Sequence, residues 1–134
     1  MPYRDGIHNN KVVQALVPGV KNATANGLDV NLVGFGSCEF IVESGAIAGA
    51  GVMDIKLQDA PDSGGSPGTY TDVDESLIQT GLEFASPVTA DLVQRVGYIG
   101  AQPWVRLVIT LASGTSVAMS SVAVLGYPEQ RPVL

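Results

Sequence analysis

The stretch from Trp104 to Leu111, WVRLVITL, decides the fold because its side chains alternate in character along the chain. Every second residue from Val105 to Leu111 is a large aliphatic residue, whereas Arg106 and Thr110 stand at alternate positions. A repeat of two residues is the period of a β-strand that turns one face toward a core. Because Pro103 cannot donate into a central ladder, we expect this strand to begin at Trp104.

The same alternation recurs elsewhere in the chain. It is present at Leu28 to Leu32, at Cys38 to Glu43 and at Met53 to Leu57. The last run, Val117 to Leu125, is small and apolar at both sets of positions. Such a run predicts a strand in the middle of a sheet that is covered on both faces.

Shorter runs and turn residues complete the pattern, although residues 74–91 carry no readable period. No stretch of the sequence has the period of a helix. The pattern of about eight or nine short strands therefore predicts an all-β, antiparallel, jelly-roll-like sandwich. The further features are a strand from Lys11 to Val17 closed by Pro18 and Gly19, a tight turn at Asn26-Gly27, a Gly-Ala separator from Gly45 to Gly51, a hairpin loop from Asp59 to Gly68, a returning strand from Tyr70 to Val73, and a strand from Leu92 to Ile99 in which Gly97 marks a bulge or a close backbone approach.

A length of 134 residues with 46% hydrophobic content fits one domain with one core. We expect a β-sandwich at residues 11–126, an extended N-terminal arm at residues 1–10 and an extended tail at residues 127–134. Pro128 and Pro132 keep that tail extended.

Composition excludes several classes of function. A net charge of −6 opposes partners that present phosphates, so we expect no nucleic-acid binding. No window approaches the run of about 18 apolar residues that a membrane span needs, so we expect no membrane partner. The single cysteine, Cys38, cannot form an intrachain disulfide, which is compatible with synthesis in a reducing cytoplasm.

Catalysis lacks a candidate constellation in the sequence. The only histidine, His8, lies in the predicted arm, and Cys38 is in phase with apolar neighbours, which is typical of a small buried residue. The acidic positions match no calcium-loop spacing, and we expect neither a metal nor another cofactor. These positions are Asp59, Asp62, Asp72, Asp74 and Glu75.

Two glycine pairs and one tryptophan invite binding interpretations. Gly34-Phe35-Gly36 and Gly97-Tyr98-Ile99-Gly100 lack the spacing of phosphate-binding loops, which favours turns or bulges. Trp104 with Tyr98 and Arg106 would suit a sugar-stacking platform, but an isolated tryptophan more often serves core or interface packing. The sequence therefore predicts a protein that binds through its surface and is not an enzyme.

The segment Arg95 to Arg106, RVGYIGAQPWVR, resembles a family of small head proteins of tailed bacteriophages, many of which carry a V-G-Y-I-G…V-R segment. The likeness continues at Val122 to Pro128, VAVLGYP, which is similar to the family's V-A-V-L-G-x-P close. Upstream, Ala25 to Val30 and Tyr70 to Val73 are similar to its early hairpins. The chain departs from the pattern at Gln102 and Pro103, where family members often carry basic residues.

The resemblance implies a capsid decoration or cement protein, made in the host bacterial cytoplasm and bound to the outer surface of the virion. It implies the major capsid protein as partner, self-association as a homotrimer, and a role in stabilising the head by bridging capsomers. The alternatives are a tail or connector component of the virion, a carbohydrate-binding module, or a hydrolase that uses Cys38. The residues expected at a protein interface are Pro2, Tyr3, Arg4, His8, Trp104, Arg106, Tyr127, Pro128, Arg131 and Pro132.

Overall fold

Antiparallel strands form most of the described chain, which comprises residues 4–82, 84–131 and 133 of a computed structural model. A single 3₁₀ turn, Glu75–Leu77, interrupts them in that part of the chain. The strands are β1 (Lys11–Lys21), β2 (Ala25–Asn26), β3 (Val30–Asn31), β4 (Phe35–Ala48), β5 (Val52–Ala60), β6 (Asp62–Ser63), β7 (Ser66–Pro67), β8 (Thr71–Asp72), β9 (Ile78–Thr80), β10 (Val93–Tyr98), β11 (Trp104–Ser113) and β12 (Ser116–Pro128).

The strands form two main sheets whose order is that of a jelly roll. The front sheet has the order β1-β12-β4-β10-β9, and the back sheet has the order β2-β11-β5-β8 with β3 also paired to β11. Strands β6 and β7 make a separate hairpin. If β2 and β3 count as one interrupted strand, the main sheets hold nine strand positions. The predicted antiparallel, jelly-roll-like sandwich is confirmed.

The core lies between the sheets and is filled by the alternating runs that the sequence shows. Phe40 and Val42 of β4 are fully buried, as are Leu57 of β5 and Leu107 and Ile109 of β11. In β11 the aliphatic residues face the core together with their partners on β5, because Leu107 pairs with Leu57 and Ile109 with Ile55. The period of two therefore predicts the buried face of each of these strands correctly.

Strand β12 has the predicted position but not the predicted burial. It lies inside the front sheet between β1 and β4, as expected for a strand that is apolar on both sides. Its inner residues are buried, but Ala118, Val122 and Val124 on the outer face are only half-buried. The expectation that both faces are covered was wrong, because no described segment packs over the outer face of β12.

The segment between β1 and β4 corrects two predictions. Asn26-Gly27 is not a hairpin turn, since Asn26 pairs with β11 and the Gly27 amide donates to Leu107 O at 2.6 Å. Leu28 to Leu32 is not one strand, because the Leu28 amide turns to the carbonyl of Ala15 in β1 instead. Backbone bonds that alternate between the two sheets close this side of the sandwich and leave only the two-residue strands β2 and β3.

Some strand ends also differ from the sequence prediction. Strand β1 continues through Pro18 and Gly19 to Lys21, with register shifts against β12 on either side of Leu16. Strand β4 runs on to Ala48 within the predicted Gly-Ala separator. Strand β10 shows no register shift against β4 at Gly97, so of the two roles expected for this glycine, a bulge or a close backbone approach, the bulge is absent.

Side chains that bond to backbone atoms help to hold the poorly patterned segment 74–91. The fully buried Gln94 accepts from the Ala85 amide at 2.8 Å and donates to the Ala85 carbonyl at 3.1 Å. The Ser86 hydroxyl accepts from the Ile55 amide of β5 at 3.1 Å. Because these contacts do not repeat along the chain, they leave no period in the sequence.

Candidate functional site

The described N-terminal and C-terminal segments meet at one end of the sandwich, here called the terminal end. It comprises residues 4–10, the 32–36 loop, the 98–103 loop and residues 126–131 with 133. The Glu129 amide donates to the Gly34 carbonyl at 2.8 Å, and the Val133 amide donates to the His8 carbonyl at 3.0 Å. The two predicted arms are therefore joined to each other and to the body of the protein.

The described part of the N-terminal segment is a turn, which corrects the expectation of an extended arm. The amides of Asn9 and Asn10 donate to the Gly6 carbonyl at 3.3 and 3.0 Å. The Asp5 carboxylate accepts from the His8 amide at 3.2 Å and lies 2.8 Å from the His8 ring Nδ1. These bonds lower the pKa of Asp5, the side-chain bond with His8 being the larger cause. A short aspartate turn at the surface is the result.

Tyr127 and Pro128 belong to the sheet and not to a free tail, because β12 continues through both residues. Gly126 pairs with Ser37, and Pro128 pairs with Phe35, so the backbone is held on both sides of Tyr127. Tyr127 itself has a φ of 47°, in the left-handed region, and its surface is 77% exposed. This conformation is rare for a bulky residue and costs about 1 kcal/mol or more.

Exposed apolar side chains surround the terminal end. Val33 is 68% exposed and Ile99 is 53% exposed. Both residues line a cavity of about 640 Å³ that also reaches Asn10, Gly34 and Glu129. Apolar residues displayed around a recess are typical of an interaction surface.

The structure brings the described terminal residues to this end, whereas the side chains of Trp104 and Arg106 lie on the outer face of the back sheet. Arg4, His8, Tyr127, Pro128 and Arg131 lie on the terminal segments. Pro2, Tyr3 and Pro132, which were also predicted at an interface, lie outside the described residues. Sequence reasoning missed Val33 and Ile99, because single exposed aliphatic residues in loops carry no pattern of their own.

Trp104 and Arg106 lie on the outer face of the back sheet, where a polar network holds them. The Trp104 Nε1 donates to the Asp62 carboxylate at 2.9 Å. The Arg106 guanidinium donates two hydrogen bonds to the side-chain Oε1 of Gln58, at 2.7 and 3.0 Å. It also lies 4.0 Å from the centre of the Tyr70 ring. The sequence did not single out Tyr70 as a partner of Arg106, because the two residues are 36 positions apart.

The sugar platform of Trp104, Tyr98 and Arg106, which the sequence left as an alternative, is not formed. Tyr98 points inward from β10 in the front sheet and is buried. Its hydroxyl donates to Asp59 at 2.8 Å and accepts from the Gln102 amide at 3.0 Å. A buried ring on the opposite sheet cannot stack on a ligand beside Trp104.

Cys38 and His8 do not form the pair that a thiol hydrolase needs. Cys38 is buried in the core, whereas the His8 ring lies on the exposed turn against Asp5. Burial, with a smaller effect of the negative charge of Glu39, raises the pKa of the Cys38 thiol to about 12. A thiol in this state carries almost no nucleophilic thiolate near neutral pH.

Four of the five acidic residues that the sequence groups near one loop have separate partners. Asp59 accepts from Tyr98, Asp62 from Trp104, and Asp72 lies 3.0 Å from the Lys56 ammonium. Asp74 accepts from the Ser76 amide at 2.9 Å. Within residues 4–82, 84–131 and 133, no group of three or more acidic, histidine or cysteine side chains is placed to hold a metal ion.

The two glycine pairs come together in space although about 60 residues separate them. Gly34, Gly36, Gly97 and Gly100 all line the cavity at the terminal end. Its charged lining residues are Glu39 and Glu129, and Lys and Arg are absent from its described lining. Such a cavity repels phosphate, which agrees with the sequence-based rejection of phosphate-binding loops.

Fold and site together define a jelly-roll β-sandwich with a recessed, apolar-rimmed surface where its termini meet. Comparisons of the chain with family models, with curated proteins and with solved structures return no match. Among the described residues, no helix has the length and apolar character to cross a membrane.

Proposed function

We propose that this protein decorates the outer surface of a tailed-bacteriophage capsid and stabilises the head by bridging neighbouring capsomers. Two independent features support the proposal. The first is the resemblance of residues 95–106 and 122–128 to phage head decoration proteins. The second is the terminal end, which displays exposed apolar side chains and would be the surface that docks on the major capsid protein.

The exposed side chain and left-handed backbone of Tyr127 are the main observation in favour of the proposal. Its left-handed backbone would be less strained with glycine, and its exposed ring contributes little to the core. Backbone strain persists where the surrounding structure enforces it, and it concentrates at functional positions. A tyrosine displayed in this way is suited to an interface, where tyrosines are enriched and often carry much of the binding energy.

The charge of the protein fits an outer position on the shell. At a net charge of −6, it would be repelled by the packaged nucleic acid on the inner side. Several weak contacts per subunit suffice for such a role. If the copies associate as a homotrimer, the three subunits bind the capsid together, and the trimer binds much more tightly than one subunit alone.

Two valines of equal exposure provide a matched test of the docking surface. Val33 at the terminal end and Val20 near the opposite end of β1 are both 68% exposed. Purified Val33→Asp and Val20→Asp proteins are mixed with expanded capsids that lack this chain, and bound protein is measured after sedimentation. We expect Val33→Asp to lower occupancy at least tenfold, because docking would bury its carboxylate. Val20→Asp should bind like the wild type.

Two further variants sharpen the test. Tyr127→Gly should fold at least as stably as the wild type yet lose most of its capsid binding. Deletion of residues 1–10 should weaken binding while the sandwich stays folded. Equal occupancy for all variants, or binding to purified tails in place of heads, would contradict the proposal and favour a tail or connector component.

A further inference from the structure

Two adjoining cavities form one elongated groove across the outer face of the front sheet. The first is the cavity of about 640 Å³ at the terminal end, and the second measures about 510 Å³. Both are lined by Glu39, Gln79 and Gly97, so they are continuous over these residues. This Gly97 groove runs from Arg95 at its far end to Glu129 at the terminal end.

The floor of the groove is formed by Gly97, which has no side chain. Gly97 faces outward from β10, where it pairs with Glu39 of β4 on one side and Gln79 of β9 on the other. Its neighbours in the same row carry long polar side chains, which form the walls. The groove therefore exists because the residue between those walls is glycine.

The fold does not require glycine at this position. Gly97 has no left-handed φ, and β10 keeps its register there. A Cβ atom on Gly97 would lie 3.5 Å from its nearest neighbour, Gln79 Cβ, which is an ordinary contact. By contrast, a Cβ atom on Gly100 would lie 2.4 Å from the Tyr98 hydroxyl oxygen.

A glycine inside a strand weakens the strand and marks a bulge, a bend or a close approach by another molecule. The regular register of β10 excludes a bulge at Gly97. The open outer face of Gly97 suits close approach of another backbone. We propose that the Gly97 groove binds an extended polypeptide segment of a partner protein, with a basic side chain seated at the end near Glu129.

Shape and charge favour this occupant. An extended strand rises about 3.3 Å per residue and fits a narrow groove that crosses a sheet. The terminal cavity carries the carboxylate of Glu129 and no described lysine or arginine, whereas Glu39 lies at the junction of the two cavities with its carboxylate 3.8 Å from the Arg95 guanidinium. A lysine or arginine near one end of the bound segment complements this distribution.

A glycan fits the lining less well. Sugar sites commonly use an exposed aromatic face, but the aromatic lining residues of the terminal cavity are the half-buried Phe35 and the buried Tyr98. The Tyr98 hydroxyl is also engaged by Asp59 and Gln102. The groove therefore offers carboxylates, amides and backbone rather than a stacking surface.

Selection from a random dodecapeptide library on the immobilised full-length protein tests the proposal. We expect enriched peptides that contain lysine or arginine. Gly97→Val should weaken their binding at least tenfold while its unfolding midpoint stays equal to or above that of the wild type. Glu129→Gln should weaken it at least threefold. Gly45→Val, which adds the same side chain to β4 outside the groove and whose Cβ would also lie 3.5 Å from its nearest neighbour, should leave binding unchanged.

Three results would overturn the proposal: no peptide whose binding depends on Gly97, enriched peptides without basic residues, or binding of glycans on an array that Gly97→Val abolishes. The inference deepens the proposed function, on which it rests for the identity of the partner. The peptide selection uses no capsids, so its failure would refute the peptide groove without bearing on capsid binding. Unchanged capsid occupancy of Val33→Asp would instead contradict the proposed function.

Discussion

Replacing Gln94 by leucine removes the one buried amide that anchors the irregular segment after β9. The side chain is fully buried, and it makes two hydrogen bonds to the backbone of Ala85, at 2.8 and 3.1 Å. Leucine has a similar volume, so the substitution leaves little cavity but deprives both the amide and the carbonyl of Ala85 of their partner.

The expected loss of stability follows from these two groups. A buried backbone group without a partner costs about 1–3 kcal/mol. Because Ala85 is half-buried and water can reach part of it, the low end applies to each group, and we expect the free energy of unfolding to fall by about 2 kcal/mol. Urea denaturation measures this value, and amide exchange of residues 84–92 should accelerate more than exchange in β11.

Gln14→Leu is the matched control, since Gln14 is exposed on β1 and the same substitution there should change stability by less than about 0.5 kcal/mol. If Gln94→Leu also costs less than about 0.5 kcal/mol and exchange of residues 84–92 is unchanged, the anchoring role of Gln94 is refuted.

Two other predictions concern ionisable groups. The hydrogen bond from Trp104 is the largest cause of the lowered pKa of Asp62, and the bond from the Gly65 amide is the second. Trp104→Phe should therefore move the pKa of Asp62 part of the way back toward its ordinary value. Carboxyl NMR measures this pKa. Because the pKa of Asp62 is lower in the folded than in the unfolded protein, its ionised form stabilises the fold above the unfolded pKa, and this stabilisation is lost as the pH falls through the folded pKa. An unchanged pKa of Asp62 in Trp104→Phe would show that the hydrogen bond has no effect. The Cys38 thiol, whose pKa is raised to about 12, should react with a disulfide reagent at pH 8 far more slowly in the native protein than in urea, and equal rates would contradict its burial.

How far the sequence predicts the fold depends on which interactions hold each segment. Runs such as Val105 to Leu111 are predicted well, because one face of each strand packs on a shared core. Leu28 to Leu32 shows the same alternation, but its backbone bonds alternate between the two sheets, which only the assembled sandwich defines. Of the described residues in 74–91, those of β9 pair in a sheet, and the others are held by isolated hydrogen bonds, which have no period.

The candidate site was predictable only in part. Alternation and chain position identify Tyr127 and Pro128 as residues near a terminus, but not the left-handed backbone of Tyr127. Gly97 is recognisable from sequence as a glycine inside a strand, and the choice between a bulge and a close approach needs the register of β10. The meeting of Gly34 with Gly97 in one cavity depends on topology, which residue patterns do not encode.

A three-dimensional reconstruction of particles that carry this chain tests the central claim most directly. The proposed function predicts density for a jelly-roll sandwich on the outer surface of the head, with Val33, Ile99 and Tyr127 turned toward the major capsid protein. Heads without such density, or density for this chain at the tail or connector, would contradict it.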